Sequence, residues 1–445
     1  MISRGHRLPE HTRRAAGALV GFRSFAWRPI PQCVRGFSYD PELPPTDGNA
    51  IFATMTPACE TRRPIRILHV VDSLKRGGLE RVVTDLAIAQ NRSGSDVQVF
   101  SIDEPRGFVD ELHKAGISVI HGGKRRSADL GTLRRLRQAM ARRDIIHVHN
   151  FMPSYYAAAA LLGLADGPCL VGTCHDMGTR LAQRKLRWIV RWALGRTRRV
   201  AMVGEQVRER YVSSGLVAAA RAECLLNGVE PDRFRFGPHA RQAARAAHGL
   251  PGDALVIGCV GRLVPLKNHR IVIESMPRLL MAFPRLHAVI AGGGPLHDEL
   301  VQRATELGVA SHLTMAGELS EVAGLLPAFD VFVHPSLTEG LSIALLEAAA
   351  SGLPTVATDV GGNGEIVVSG RTGVLVPVQD PEALAAAIED LLANPARREA
   401  LGAAARAWTE AHASIESMRV AYDGFYRRAM RDGEPRSRTM PQENP

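Results

Sequence analysis

The sequence contains no C-x-x-C pair: its six cysteines, Cys33, Cys59, Cys169, Cys174, Cys224 and Cys259, are scattered, with no matching histidine cluster beside them. That argues against a zinc site or a disulfide framework and for a reducing cytosol. No uncharged apolar run reaches the ~18–20 residues a spanning helix needs, so no transmembrane segment is expected. No G-x-x-x-x-G-K-[ST] loop and no D-x-D pair occurs, which leaves a P-loop and a D-x-D metal site without sequence support. Aromatic residues make up only 5% of the chain, too few for a stacking platform, and no recognised reader module appears. A nucleic-acid-binding protein is therefore a poor explanation of the net charge of +10 and the pI near 9.7. The remaining acidic partners are an anionic membrane surface and a phosphorylated ligand.

What is present is a chain of 445 residues, 45% hydrophobic, long enough for two cores of ordinary size. Residues 1–64 are set apart as an N-terminal extension. Up to Tyr39 it carries seven arginines against the single acid Glu10, around the run "AAGALVGF". A start assigned upstream of Met55, a disordered tail and, last, a transit peptide are the three readings. From Ile65 short β-branched runs alternate with helical patterns, the rhythm of a parallel α/β sheet. Strands are expected at 65–71, 97–102, 117–120, 145–149, 169–173 and 199–203. A linker rich in turn residues follows at 228–253, and a second series of strands at 254–261, 287–294, 312–317, 331–336, 354–358 and 373–378. Two Rossmann-like, doubly wound domains result, at 65–235 and 236–413, with a helix at 414–431 and a disordered tail at 432–445. Ligands of such sheets bind at the carboxyl ends of the strands, so the active site is expected between the two domains.

The candidate residues sit on those ends. "GRLVPLKN" puts Arg262 and Lys267 on a loop leaving a strand, suited to neutralising a diphosphate, although a solvated basic loop reads the same. "DSLKRGGLERVV" places Gly77 and Gly78 between a strand and a helix start, without the G-x-G-x-x-G spacing of a dinucleotide site. His175 follows the strand "CLVGT". Glu339 and Glu347 stand eight positions apart in "EGLSIALLEAAASG", the first on a loop and the second early in a helix whose dipole should help keep it ionised. Two carboxylates at a cleft suit the vicinal hydroxyls of a ribose and a sugar. An idle one among Leu345, Leu346, Ala348 and Ala349 would cost free energy.

Taken together, the Glu-x7-Glu spacing, "GRLVPLKN", "RGGLERVV", "LLNGVEPDRF" and "DVGGNGEIVVSGRTGVLVPVQDPEALAAAI", in this order over roughly Ile65 to Met430, resemble the retaining GT-B glycosyltransferases of family GT4. The resemblance implies a GT-B fold and transfer of a sugar from a UDP- or GDP-sugar to a hydroxyl. It also implies that Arg262 and Lys267 hold the donor diphosphate and Glu347 the ribose. Glu339, with Gly340, Leu341 and Ser342, would meet the transferred sugar. Gly78 would lie near the phosphates, His175 near the reacting face, and Gly293 and the turn at 317–321 beside the nucleotide. The C-terminal helix would cross back onto the first domain. Leu341 and Ser342 depart from the aromatic residue and glycine that many relatives carry. With no D-x-D, the leaving charge falls to the two cations and no metal or other cofactor is expected.

The segment "RKLRWIVRWALGRTRR", wound as a helix, puts Leu186, Ile189, Val190, Ala193 and Leu194 on one face and Arg184, Arg187, Trp188, Arg191 and Trp192 on the other. Such a face suits an anionic membrane, as do the basic runs at 123–127 and 134–143. The expected acceptor is accordingly a lipid-linked saccharide or glycolipid of surface polysaccharide assembly, met at the inner face of the cytoplasmic membrane. A nucleotide-sugar epimerase of the same architecture is the alternative. It would convert donor without an acceptor.

Overall fold

The structure is a computed structural model and describes residues 63–432, apart from 127, 128, 165, 166, 177, 178, 238 and 320. The expectations for Met55 and the chain before it, and for the tail after Asp432, lie outside the described residues. Seven strands form the first sheet: β1 (Arg66–Val71), β2 (Asp96–Ser101), β3 (Ser118–His121), β4 (Ile145–His149), β5 (Cys169–Cys174), β6 (Arg199–Met202) and β7 (Ala222–Cys224). Six form the second: β8 (Leu255–Val260), β9 (Leu286–Ala291), β10 (Leu313–Gly317), β11 (Val331–His334), β12 (Thr355–Thr358) and β13 (Val374–Val376). Every pairing is parallel. The orders are β3-β2-β1-β4-β5-β6-β7 and β10-β9-β8-β11-β12-β13. Helices cover both faces of such a sheet, so its strands are buried almost end to end, as Ile67–Val71 and the whole of β4 are. Both sheets belong to one compact unit.

Each order reverses once, between β1 and β4 and between β8 and β11, and loops leaving neighbouring strands diverge there to open a crevice. The sequence-derived strands lie within a residue or two of the observed ones, save that the expected tails beyond β9, β11 and β13 are loop. The exception is β7, three residues with no apolar run to announce them. The linker expected at 228–253 is also too broad. The helix Ala240–Ala247 already belongs to the second domain, since the buried Arg245 on it bonds the Asp330 carboxylate (2.9 Å) and the Ala328 carbonyl (3.2 Å).

The chain crosses between the domains twice, and the two crossings lie side by side. Val229 N–H donates to the Ala413 carbonyl at 2.9 Å, and Ile415 N–H to the Val229 carbonyl at 2.8 Å. The helix Ile415–Arg431, capped by Ser414 through the Ser417 N–H, then runs along the first domain. Met418, Tyr422, Phe425, Tyr426 and Ala429 recur at helical spacing and are buried against Ile67, Val71, Leu86 and Ile145. Among the described residues the first strand and the last helix thus belong to the same domain, and the adjacent crossings form a single hinge.

Candidate active site

The carboxyl ends of the two sheets face each other across a cleft of ≈ 620 Å³. Gly77 and Gly78 reach it from the loop after β1, His175 from the end of β5, Arg262 and Lys267 from the loop after β8, and Gly293 from the loop after β9. Glu339, Leu341, Ser342 and Glu347 come from the loop and helix after β11. Gly340 stands between Glu339 and Leu341 in the same loop. The eleven candidates, spread over 271 positions from Gly77 to Glu347, are therefore neighbours in space. Glu318 and Glu321, from the turn after β10, line the same space.

Glycine is required where the domains touch. A Cβ added at Gly340 would overlap the carbonyl oxygen of His175, across the cleft in the first domain. One added at Gly361 would overlap the Glu339 carbonyl, and there φ is +53°, a conformation that side chains disfavour. The Glu339 loop is thus pressed between Gly361 behind it and His175 in front. At the other edge, a Cβ on Gly78 would stand 3.4 Å from Ile343 Cγ1 at the start of the Glu347 helix.

Glu339 is the centre of a dense polar cluster. Its Oε1 accepts from the Lys267 ammonium, from His334 Nε2 at 2.9 Å and from the Ser336 hydroxyl at 2.6 Å. Burial opposes its ionisation, but the hydrogen bond from His334 and the charges of His334 and Lys267 more than offset that, holding the carboxyl well below the usual range. All three contacts converge on one oxygen, and Oε2 has no hydrogen-bond partner among the described residues. The same pairing partly neutralises Lys267, whereas Arg262 is exposed, and burial raises the pKa of Glu80 across the cleft in spite of the charge of Arg262.

Glu347 is the opposite case. Half-buried on the second turn of the helix Ile343–Ala350, its carboxylate has no hydrogen-bond partner among the described residues. Burial pushes it up to about 7, against the pull of Arg233. The expectation that the helix dipole keeps it ionised is thus overturned: desolvation wins. Ser342 takes up the dipole end of that helix, accepting the Leu345 N–H at 3.3 Å, and the buried Leu341 is a packing residue.

Sequence reasoning missed Asn150 and His334. Asn150 sits at the end of β4 with φ +63°, a position few non-glycine residues occupy, and its side-chain oxygen accepts the His175 N–H at 2.9 Å. Both stand at strand ends, in "IIHVHN" and "VFVHPS", and the strand-end rule that picked out His175 would have found them. On the helix Arg184–Leu194, Trp188 is 70% exposed among the exposed Arg184, Arg187 and Arg191, but Trp192 is only partly exposed and lies under the Arg196 guanidinium, 4.2 Å from its ring centroid. Ile189, assigned to the packed face, is exposed. Of the further basic runs, Arg135 binds the Gly122 carbonyl, Arg137 those of Ala160 and Leu162, and Arg143 the Asp96 carboxylate, so these arginines tie the domain together.

Two family models match consecutive stretches: Glycosyltransferase Family 4 over residues 76–233 and Glycosyl transferases group 1 over residues 240–408. Among curated relatives, a GDP-mannose-dependent alpha-(1-6)-phosphatidylinositol monomannoside mannosyltransferase of Mycolicibacterium smegmatis is 40% identical over 220 residues, which are 47% of this chain and 56% of that one. Its namesake from Mycobacterium tuberculosis is 32% identical over 305 residues, 64% of this chain and 78% of that one. Among solved structures, HepE of Anabaena in complex with UDP and glucose superposes with a TM-score of 0.74 at 21% identity, over 81% of this chain and 98% of that one. WaaG, a glycosyltransferase involved in lipopolysaccharide biosynthesis, gives 0.67 at 18% identity, over 81% and 99%. The two facing doubly wound domains are the GT-B fold, and the chain belongs to the group 1 glycosyltransferases of family 4.

Proposed function

We propose that the protein moves a hexose, with retention of anomeric configuration, from a UDP- or GDP-sugar to a hydroxyl of a lipid-linked saccharide or glycolipid. The observation that carries this reading is the convergence on one cleft of two cations, an unpartnered carboxylate and a glycine-lined approach, from the strand ends of both domains. Arg262 and Lys267 take the donor diphosphate and Glu347 the ribose hydroxyls. Glu339 Oε2 accepts a hydroxyl of the sugar, and His175 lines the side on which the acceptor arrives. Support for the acceptor class comes from relatives that act on phosphatidylinositol mannosides and, in Escherichia coli, from a UDP-Gal:alpha-D-GlcNAc-diphosphoundecaprenol galactosyltransferase.

Glu339 is a poor nucleophile here, because Lys267, His334 and Ser336 already hold its charge. The reaction we infer is a front-face substitution. The bond from the anomeric carbon to the diphosphate oxygen breaks, the bond to the acceptor oxygen forms on the same face, and the acceptor proton passes to the departing diphosphate. Arg262 and Lys267 stabilise the leaving charge, so no metal is needed. Incubation with labelled UDP- and GDP-sugars and lipid-linked acceptors tests the whole reading. An α-linked product from an α-linked donor, formed undiminished in chelator, is expected. Epimerised donor without an acceptor, or activity restored only by magnesium, would overturn it.

The membrane surface enters through the helix Arg184–Leu194. Exposed Trp188 and Ile189 beside Arg184, Lys185 and Arg191 present apolar and cationic groups together, which an anionic interface favours. The enzyme then works at the inner face of the cytoplasmic membrane. No helix among the described residues is long and apolar enough to cross it.

A further inference from the structure

Behind the cleft a file of buried imidazoles runs into the first domain. His175 Nε2 lies 3.1 Å from His149 Nδ1, His149 Nε2 lies 3.0 Å from His69 Nδ1, and His69 Nε2 lies 2.8 Å from Gln90 Oε1. Gln90 is fully buried on the helix Gly78–Arg92, and its amide nitrogen donates to the Tyr426 hydroxyl at 3.2 Å. His147 stands beside the file, bonded to Tyr426 and Thr173, so every ring nitrogen of His69, His147 and His149 has a hydrogen-bond partner.

The file has a direction. An amide oxygen carries no hydrogen, so His69 must donate from Nε2. A neutral imidazole has one N–H, so His69 Nδ1 accepts, and His149 must donate to it from Nε2. The same step repeats once more, so that His175 donates from Nε2 and keeps Nδ1 as its acceptor. Burial lowers the proton affinity of all three rings, His69 to about 4 and His175 to about 3, and no ring carries the extra proton that would break the rule. We propose that Gln90, through His69 and His149, is a positioning residue that fixes the Nε2–H tautomer of His175, making that ring an acceptor for a substrate hydroxyl in the cleft.

The inference rests on the glycosyl-transfer reading for its consequence but not for its first test. Selective 15N labelling of histidine in the full chain, read by long-range 1H–15N correlation and assigned by single replacements, reports each tautomer directly. Nε2–H at His69, His149 and His175 is expected. Nδ1–H at His175, as a reversed Gln90 amide would impose, overturns the proposal even if transfer is confirmed. Gln90→Met keeps the volume and removes the acceptor. Its kcat should fall roughly tenfold with the donor KM unchanged, the cost of one transition-state hydrogen bond. Gln90→Glu, protonated at so buried a site, accepts from His69 through its carbonyl oxygen and donates to Tyr426 through its hydroxyl, and should retain both the His175 tautomer and kcat. Unchanged kcat in Gln90→Met, or equal losses in both variants at equal thermal stability, would reduce Gln90 to a packing residue. Failure of the wild type to bind any donor would instead count against the glycosyl-transfer reading, leaving the tautomer result standing.

Discussion

Glu339 and Glu347 are the same residue type eight positions apart, and their surroundings drive them in opposite directions. Three donors hold Glu339 as a carboxylate, whereas Glu347, half-buried and unpartnered, is pushed up to about 7. The sequence showed that both lie at a cleft, because each follows the end of β11. It could not show their ionisation, which depends on Lys267, His334 and Arg233 brought in from elsewhere. For Glu347 the sign follows directly. Its pKa is raised on folding from about 4.5, so the folded free protein holds a proton that the unfolded chain has lost. Its contribution to stability is full below the unfolded value and declines as pH rises towards 7. Accepting two ribose hydroxyls requires the ionised form. Nucleotide binding at pH 6 should therefore release close to one proton, read as a dependence of calorimetric enthalpy on buffer ionisation heat, and tighten as pH rises to 7. Glu347→Gln should abolish both effects, and their persistence would remove Glu347 from the ribose.

At the level of elements, twelve of thirteen strands were legible because a strand buried on both faces must be a continuous apolar run. β7, at Ala222–Cys224, is short and edge-lying and has no such run. Helix ends were less legible, yet two carry clear consequences. Ser342 caps the helix that bears Glu347, and Ser342→Ala should cost about 1 kcal/mol of stability by the usual worth of such a cap, visible as a lowered Tm. An unchanged Tm would mean that the cap is redundant. Gly340 faces His175 with no room for a Cβ. Gly340→Ala should push the loop and the facing domain apart while each domain remains folded. A misplacement of this kind costs on the order of a hundredfold in kcat. Near-normal kcat with an intact fold would show that the contact is not kept during turnover.

For the whole molecule, two doubly wound domains face one cleft and are joined by two paired crossings of the chain. Composition alone gave the excess of positive charge, but not its placement. Arg135, Arg137 and Arg143 are spent on carbonyls and carboxylates within the domain. The surface we propose for the membrane narrows to Trp188, Ile189 and the arginines of one helix. Trp188→Ala should release the protein from anionic vesicles in a flotation assay, and Trp192→Ala, whose ring is partly covered by Arg196, should release it less. Equal release by both, or none by either, would place the membrane contact elsewhere.

The most direct test of the account is calorimetric titration of UDP, GDP and ADP into the wild type and into Glu347→Ala. The account predicts that UDP or GDP binds and that the variant loses roughly 10–100-fold in affinity, the worth of hydrogen bonds to a charged group. Binding of neither by well-folded wild type, or equal affinity in the variant, would contradict the assignment of this cleft as the donor site.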